Sequence, residues 1–235
     1  MENKQSKRYC IAPAHKNELE QAAWANNTYV CGIDEVGRGC LAGPLVTAAV
    51  ILPLNKTSKL LMDSKLLTEP ERHKGALWVA KNCWYAYGIV DNRTIDRYNI
   101  YHATLIAMKK ALLHLLATGP RPSAILIDAM PLKLNDTCYA DIPVHYFPKG
   151  ERKSSSIAAA SIIAKVKRDE LMAKYNSIFP DFHFDEHKGY STQKHKNSLK
   201  ELPPLIIHRQ SFLHKISTVD DYDELNEQQS LLFSK

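Results

Sequence analysis

The chain reads as an α/β domain built on a mixed sheet, and three observations predict it. Five short apolar, partly β-branched runs stand out as strands: "YVCGID", "LVTAAVIL", "WYAYGIV", "AILID" and "VHYF". The first three follow one another with little helix between the first two, the order of an antiparallel meander. The last two are set apart by helical segments, as crossover-connected strands are. The 235 residues suffice for one domain with appendages and an ordinary buried core.

The elements follow in order. Residues 1–28 are mixed in character, carry a short helical candidate in "KNELEQAAWA", and read as an N-terminal extension. The strands "YVCGID" and "LVTAAVIL" flank a glycine-rich stretch. In "LTEPERHKGALWVAKN", Thr68 and Glu71 have capping-box spacing and Pro70 sits in the first turn, so a helix starts here. After the strand "WYAYGIV", residues 93–117 place Leu105, Met108, Leu112 and Leu115 at helical spacing, which makes them core, and "TGPRP" stops the helix. The strands "AILID" and "VHYF" precede "SSSIAAASIIAKVKRDELMAKY", the clearest helix, with a serine cap and dense alanine. Helix and loop are expected to about Lys215. The domain is therefore assigned to 29–217 and a polar, acidic, flexible tail to 218–235.

Composition narrows the function. A net charge of +6 suits a polyanionic partner. No apolar run approaches the ~20 residues needed to cross a bilayer, and the polar start "MENKQSKRYC" has no signal-peptide core, so a cytoplasmic protein is expected. The absence of a dinucleotide loop argues against a dehydrogenase. Cys10, Cys31, Cys40, Cys83 and Cys138 are odd in number and form no CxxC pair, which reads as reduced thiols.

The chemistry concentrates in "CGIDEVGRGCLAGP". Asp34 ends one apolar strand and Asp128 ends another. A carboxylate beside a core is costly unless compensated, and two brought together repel and shift each other's pKa. A divalent cation resolves both problems, and oxygen-only ligands favour Mg²⁺ or Mn²⁺ over zinc. Neighbouring strand residues point to opposite faces. Asp34 and Glu35 can thus converge only if the strand bends or ends, which Gly37 and Gly39 permit. Arg38, between those glycines, is either a surface arginine on a tight turn or a planar phosphate partner on a main chain that a ligand can approach.

Seven blocks, "GIDEVGRGCLAGP", "DSKLL", "HATLIAM", "LIDAM", "SIAAASIIAKVKRD", "HKGY" and "HRQSF", occur in an order that resembles the ribonuclease HII family, over about residues 29–215. The resemblance implies a ribonuclease H-like fold: a five-stranded mixed sheet flanked by helices, with a C-terminal helical part. It implies an endoribonuclease that hydrolyses the RNA strand of RNA–DNA hybrids and nicks DNA 5′ to embedded ribonucleotides, leaving a 3′-hydroxyl and a 5′-phosphate, with Mg²⁺ or Mn²⁺. The implied metal ligands are Asp34, Glu35 and Asp128, with Glu151 at a position where the family usually carries aspartate. The extra methylene moves the carboxylate outward by ~1.5 Å. On a two-metal scheme Asp34 bridges both ions, Glu35 and Asp128 complete one site, and Glu151 the other. Gly37, Arg38 and Gly39 match the turn that reads the 2′-hydroxyl, and Tyr190 matches a tyrosine that stacks on the following deoxyribose. These are sensible tests for RNA against DNA. Asp63, Ser64 and Lys65 match a block near the substrate strand. Asp169 reads as supporting its helix.

Lys149, Arg152, Lys153, Lys194, Lys196 and Lys200 are candidates to track phosphates. In the tail, "EQQSLLFSK" places Gln229, Leu232 and Phe233 as in the short peptides that dock into a replication sliding clamp, against the alternative of a tail that packs on its own domain. A monomer is expected. The rival functions are a catalytically weakened hybrid-binding protein, with Glu151 as the lesion, and another two-metal nuclease on the same fold.

Overall fold

A computed structural model describes residues 13–213 of the chain. Its strands are β1 (Val30–Val36), β2 (Leu45–Ile51), β3 (Trp84–Val90), β4 (Ala124–Asp128) and β5 (Val144–Phe147). They form one sheet in the order β3-β2-β1-β4-β5. β3, β2 and β1 are antiparallel neighbours, whereas β1, β4 and β5 run parallel. The meander and the crossovers expected from the strand order are both present.

The period-2 pattern of the strands sorts their side chains onto two faces. Cys31 and Ile33 of β1, with Ala49 and Ile51 of β2, pack against Met108, Leu112 and Leu115 of helix α3 (Asn92–Thr118). Val46, Ala48 and Val50 of β2 turn the other way. They meet Val79 of α2 (Glu69–Asn82) and Ala159, Ile162 and Ile163 of α5 (Ser155–Ile178). β2 is therefore buried along its whole length, which explains its unbroken apolar run. Burying each large aliphatic side chain contributes about 1.5–3 kcal/mol, so this two-sided core dominates the stability.

Local signals set the helix starts. The Glu71 carboxylate accepts from the Thr68 N–H at 2.8 Å and from its hydroxyl at 2.7 Å, closing the cap on α2. Ser154 caps α5 by accepting from the Ile157 N–H at 3.1 Å. In α3 the structure departs from a continuous helix. Asn99 has φ 62 and ψ 166, and its side-chain oxygen accepts from the N–H groups of Tyr101 and His102 at 2.9 and 3.1 Å. Asn99 thus caps a second helical segment inside the first, its side chain supplying the acceptor at a strained positive-φ position.

The described part of the N-terminal segment is packed on the domain. Helix α1 (Glu18–Ala25) buries Trp24 in the α5-side core, and Glu20 accepts from the Ser154 hydroxyl at 2.5 Å and the Ser156 N–H at 3.1 Å. α4 (Gly150–Lys153) precedes α5. After it, a 3-10 turn at Pro180–Phe182 and helices α6 (Phe184–His187) and α7 (Gln193–Glu201) form a satellite cluster. That cluster is centred on Ala42, Met172, Phe182, Phe184 and Ile207. Among the described residues Cys31, Cys40, Cys83 and Cys138 are free, and no helix is long and apolar enough to cross a membrane.

Candidate active site

β1 and β4 pair in register from Val30 opposite Ala124 to Ile33 opposite Ile127. The next residues on the two strands are Asp34 and Asp128, so parallel pairing brings both acids to the same carboxyl-terminal edge, where open α/β sheets bind ligands. The chain then turns sharply. Ala129 has φ 53 and Lys149, just before α4, has φ 59. Non-glycine residues held in this region cost of order 1–3 kcal/mol each and concentrate at functional sites. The second turn delivers Gly150 onto the end of β4, where its N–H donates to Asp128 Oδ1 at 3.1 Å. A Cβ at Gly150 would lie 3.3 Å from Asp128 Cα and 2.7 Å from Ile157 Cδ1, so a larger residue would crowd this approach and make the Ile157 side chain shift. Glu151, the following residue, is thereby carried to Asp128.

Asp34, Glu35, Asp128 and Glu151 line one cavity of about 180 Å³ together with Asp63, Ser64, Lys65 and Tyr190. Asp34 and Glu35 both line the cavity although β1 continues through them to Val36, with Glu35 opposite Thr47 and Val36 opposite Val46 of β2, so the strand does not end at Asp34 as the sequence suggested. The Gly37–Arg38–Gly39 turn lies beside the cavity rather than in its wall. Arg38, 40% exposed, donates to Glu35 Oε1 at 3.3 Å. Gly37 has φ +94, and a Cβ there would lie 2.2 Å from Arg168 Nε; at Gly39 it would meet nothing within 4 Å. The first glycine is needed by the fold, whereas the second borders open space.

Sequence reasoning missed three polar lining residues, Arg72, Ser161 and Lys165. Ser161 hydrogen-bonds to the Asp34 carboxylate, and its Oγ lies 2.9 Å from Ser64 Oγ. Lys165 pairs with Asp169 at 2.7 Å and lies 5.8 Å from the Tyr190 ring centre. Arg72 donates to the Ser64 and Leu67 carbonyls. Ser161, Lys165 and Asp169 recur every four residues and so share one face of α5, which at Ser161 and Lys165 lines the cavity.

The electrostatics follow from crowding acids in a buried place. Burial pushes the Asp34 carboxyl well above the usual carboxylate range, and the Glu35 and Asp128 charges push the same way. Burial also raises Glu35, against the opposing pull of Arg38, and raises Glu151. Glu35 Oε2 and Glu151 Oε2 are buried with no hydrogen-bond partner. Among the described residues no three His, Cys, Asp or Glu side chains are already arranged to hold a metal ion. The donor set still fits a hard divalent cation: it is all oxygen, mutually repelling, and holds two orphaned carboxylate oxygens.

Of the other cationic candidates, Lys194 pairs with Glu186 at 2.7 Å and Arg152 approaches Asp63 at 3.8 Å. Lys153 donates to the Ala14 carbonyl at 3.2 Å.

Residues 31–215 match the family model described as Ribonuclease HII. A ribonuclease HII of Lacticaseibacillus paracasei is 43% identical over 205 residues, covering 86% of this chain and 77% of its own. A solved structure of the PCNA:RNase HII complex from Archaeoglobus fulgidus superposes with a TM-score of 0.61 at 28% identity, over 74% of this chain and 87% of that one. The crystal structure of ribonuclease H2 from Pyrococcus horikoshii gives 0.62 at 26% identity, over 78% and 93%. With its five-stranded mixed sheet and acid-lined strand edge, the chain belongs to the ribonuclease HII family and is an endoribonuclease acting on RNA–DNA hybrids.

Proposed function

We propose that this endoribonuclease also nicks duplex DNA on the 5′ side of an embedded ribonucleotide, using Mg²⁺ or Mn²⁺ held by Asp34, Glu35, Asp128 and Glu151. The observation that carries the reading is the gathering of these four acids in one cavity, with orphaned oxygens on Glu35 and Glu151. A bound divalent ion would supply Lewis-acid activation of a water and charge stabilisation at the departing 3′-oxygen. The remaining work falls to the chain itself. Ser161 and the Glu35 N–H, at 2.8 Å from Oδ1, together orient the Asp34 carboxylate. The open space at Gly39 lets a sugar–phosphate strand approach the main chain, where N–H and C=O groups test for a 2′-hydroxyl. The Tyr190 ring, backed by Lys165 and Arg168 at 5.8 and 5.6 Å, is held for packing against the next sugar. Asp63, Ser64 and Lys65 line the same cavity and would meet the substrate strand there.

The test is cleavage of a DNA duplex containing one ribonucleotide. Asp34→Asn and Asp128→Asn should each cut at least about a hundredfold more slowly than the parent, the scale on which loss of one charge-stabilising group is felt. Parental rates in either variant would defeat the reading. Glu151→Gln should also be slow, while Glu151→Asp should keep activity.

Gln229, Leu232 and Phe233 lie outside the described residues. We propose that they dock into a sliding clamp, supported by the likeness to the Archaeoglobus fulgidus protein solved with PCNA. Deleting residues 226–235 should abolish clamp binding and leave cleavage intact; clamp binding that survives the deletion rejects this.

A further inference from the structure

Two adjacent buried residues outside the carboxylate cavity, His208 and Arg209, bind the two elements that flank it. Arg209 is fully buried. It donates from Nη1 to the Arg38 carbonyl at 3.0 Å, and from Nε and Nη2 to the Gly43 carbonyl at 3.2 and 2.9 Å. All these bonds end on main-chain oxygens of the segment that contains the Gly37–Arg38–Gly39 turn. His208 serves the other element. Its Nδ1 accepts from the Leu205 N–H at 2.9 Å, so its proton sits on Nε2 and is donated to His195 Nε2 at 3.1 Å. His195 then donates from Nδ1 to the Tyr190 carbonyl at 2.9 Å. Main-chain bonds complete the clamp: Leu41 N–H to the Gly189 carbonyl at 2.8 Å, Gly43 N–H to Ile207 at 2.9 Å, and Arg209 N–H to Leu41 at 2.8 Å.

A buried guanidinium bonded to carbonyls is an expensive way to fill space, because no carboxylate pairs with it and Asp96 helps only through its charge. The planar fork explains the choice. It reaches two carbonyls of an irregular turn at fixed angles, which a lysine ammonium does not. We propose that His208 and Arg209 are positioning residues for ribonucleotide recognition, fixing the Gly37–Arg38–Gly39 turn and Tyr190 relative to each other. The inference rests on the nicking reading above. A ribonucleotide followed by a deoxyribonucleotide must satisfy both elements at once, so their mutual placement decides the junction substrate. A continuous RNA strand, with no such junction, depends on it less.

The test uses the full chain with Arg209→Lys, His208→Phe and His208→Gln. The glutamine variant keeps an N–H at the reach of Nε2. Thermal unfolding checks that each variant is folded at assay temperature, and amide exchange at Leu41 and Gly43 reports the clamp directly. In Arg209→Lys and His208→Phe these amides should exchange faster. The ratio of kcat/KM for the single-ribonucleotide duplex to that for the hybrid should fall about tenfold or more, as misplacement of reacting groups does. The loss should lie in kcat, with KM within about twofold, and His208→Gln should recover most of it. If one of the first two variants does not fold, the other is decisive. Folded variants with an unchanged ratio, or equal losses on both substrates, overturn the proposal. If the parent shows no cleavage at single ribonucleotides, the nicking reading fails instead. Exchange then still judges the clamp, supporting it if faster in the variants and overturning it if unchanged.

Discussion

Asp34 sits where a strand of the core meets the cavity, and its carboxylate accepts from one hydroxyl, that of Ser161, and from the Glu35 N–H at 2.8 Å. Ser161 donates to it while burial and the Glu35 charge push its carboxyl upward. Removing that donor in Ser161→Ala should lower divalent-ion affinity or kcat about tenfold to a hundredfold, the usual effect of losing a group that orients a metal ligand. Calorimetric titration with Mn²⁺ and single-turnover cleavage measure the two, and unchanged values in both would show that Ser161 only fills space. That Asp34, Glu35 and Asp128 share a cavity was legible only from a joint pattern, two adjacent acids, a Gly-Arg-Gly turn and a third acid after a buried strand, since one such acid alone reads as a solvated strand terminus. Ser161 and Lys165 were not, since a serine or lysine in an alanine-rich helix has many. Arg168 and Arg209 were invisible for the opposite reason. Arginine is by default a solvated residue, and only the fold reveals that both are buried on main-chain carbonyls.

At the scale of elements, the capping box of α2 was readable from Thr68 and Glu71 alone. Thr68→Ala should cost about 1 kcal/mol. In a chain of this size that lowers Tm by about 2–4 °C, as calorimetry would show; no change would mean that the cap bonds are offset by water. The break at Asn99 was not readable, because apolar spacing runs on through it and only the backbone angle marks it. The histidine cluster between α6, α7 and the C-terminal segment makes a further prediction. Burial pushes His195 and His208 down to about 4, with His187 stacked on His195 at 4.3 Å and the Glu186–Lys194 pair beyond it. In the unfolded chain these rings titrate near ~6.5. Between about pH 4 and 6.5 the unfolded state therefore binds more protons, and this contribution to stability is lost as pH falls through that window. Because the raised carboxyls of Asp34, Glu35 and Glu151 act in the opposite direction, the test is a difference: from pH 7 to pH 4.5 Tm should fall further in the parent than in His208→Phe. Equal drops would mean that the pair is not buried neutral.

At the scale of the whole molecule, the strand order predicted the sheet because short connections leave few ways to join a meander to crossovers. What composition could not supply was direction. A net charge of +6 says that a polyanion is welcome, not where it lies. Binding of a hybrid duplex should weaken linearly in a log–log plot against salt, with a slope of about −0.9 per phosphate contact. Filter binding from low to moderate salt checks this, and a flat line would exclude phosphate contacts as the source of affinity. The central claim is that four acids at one sheet edge hold divalent ions for cutting beside a ribonucleotide. Mapping the products of a DNA duplex with one ribonucleotide, in Mg²⁺ and in Mn²⁺, tests it most directly. The account predicts a single cut on the 5′ side of the ribonucleotide, leaving a 3′-hydroxyl and a 5′-phosphate, and lost in Asp34→Asn. Cutting that persists in Asp34→Asn, or that ignores replacement of the ribonucleotide by its deoxy counterpart, would contradict it.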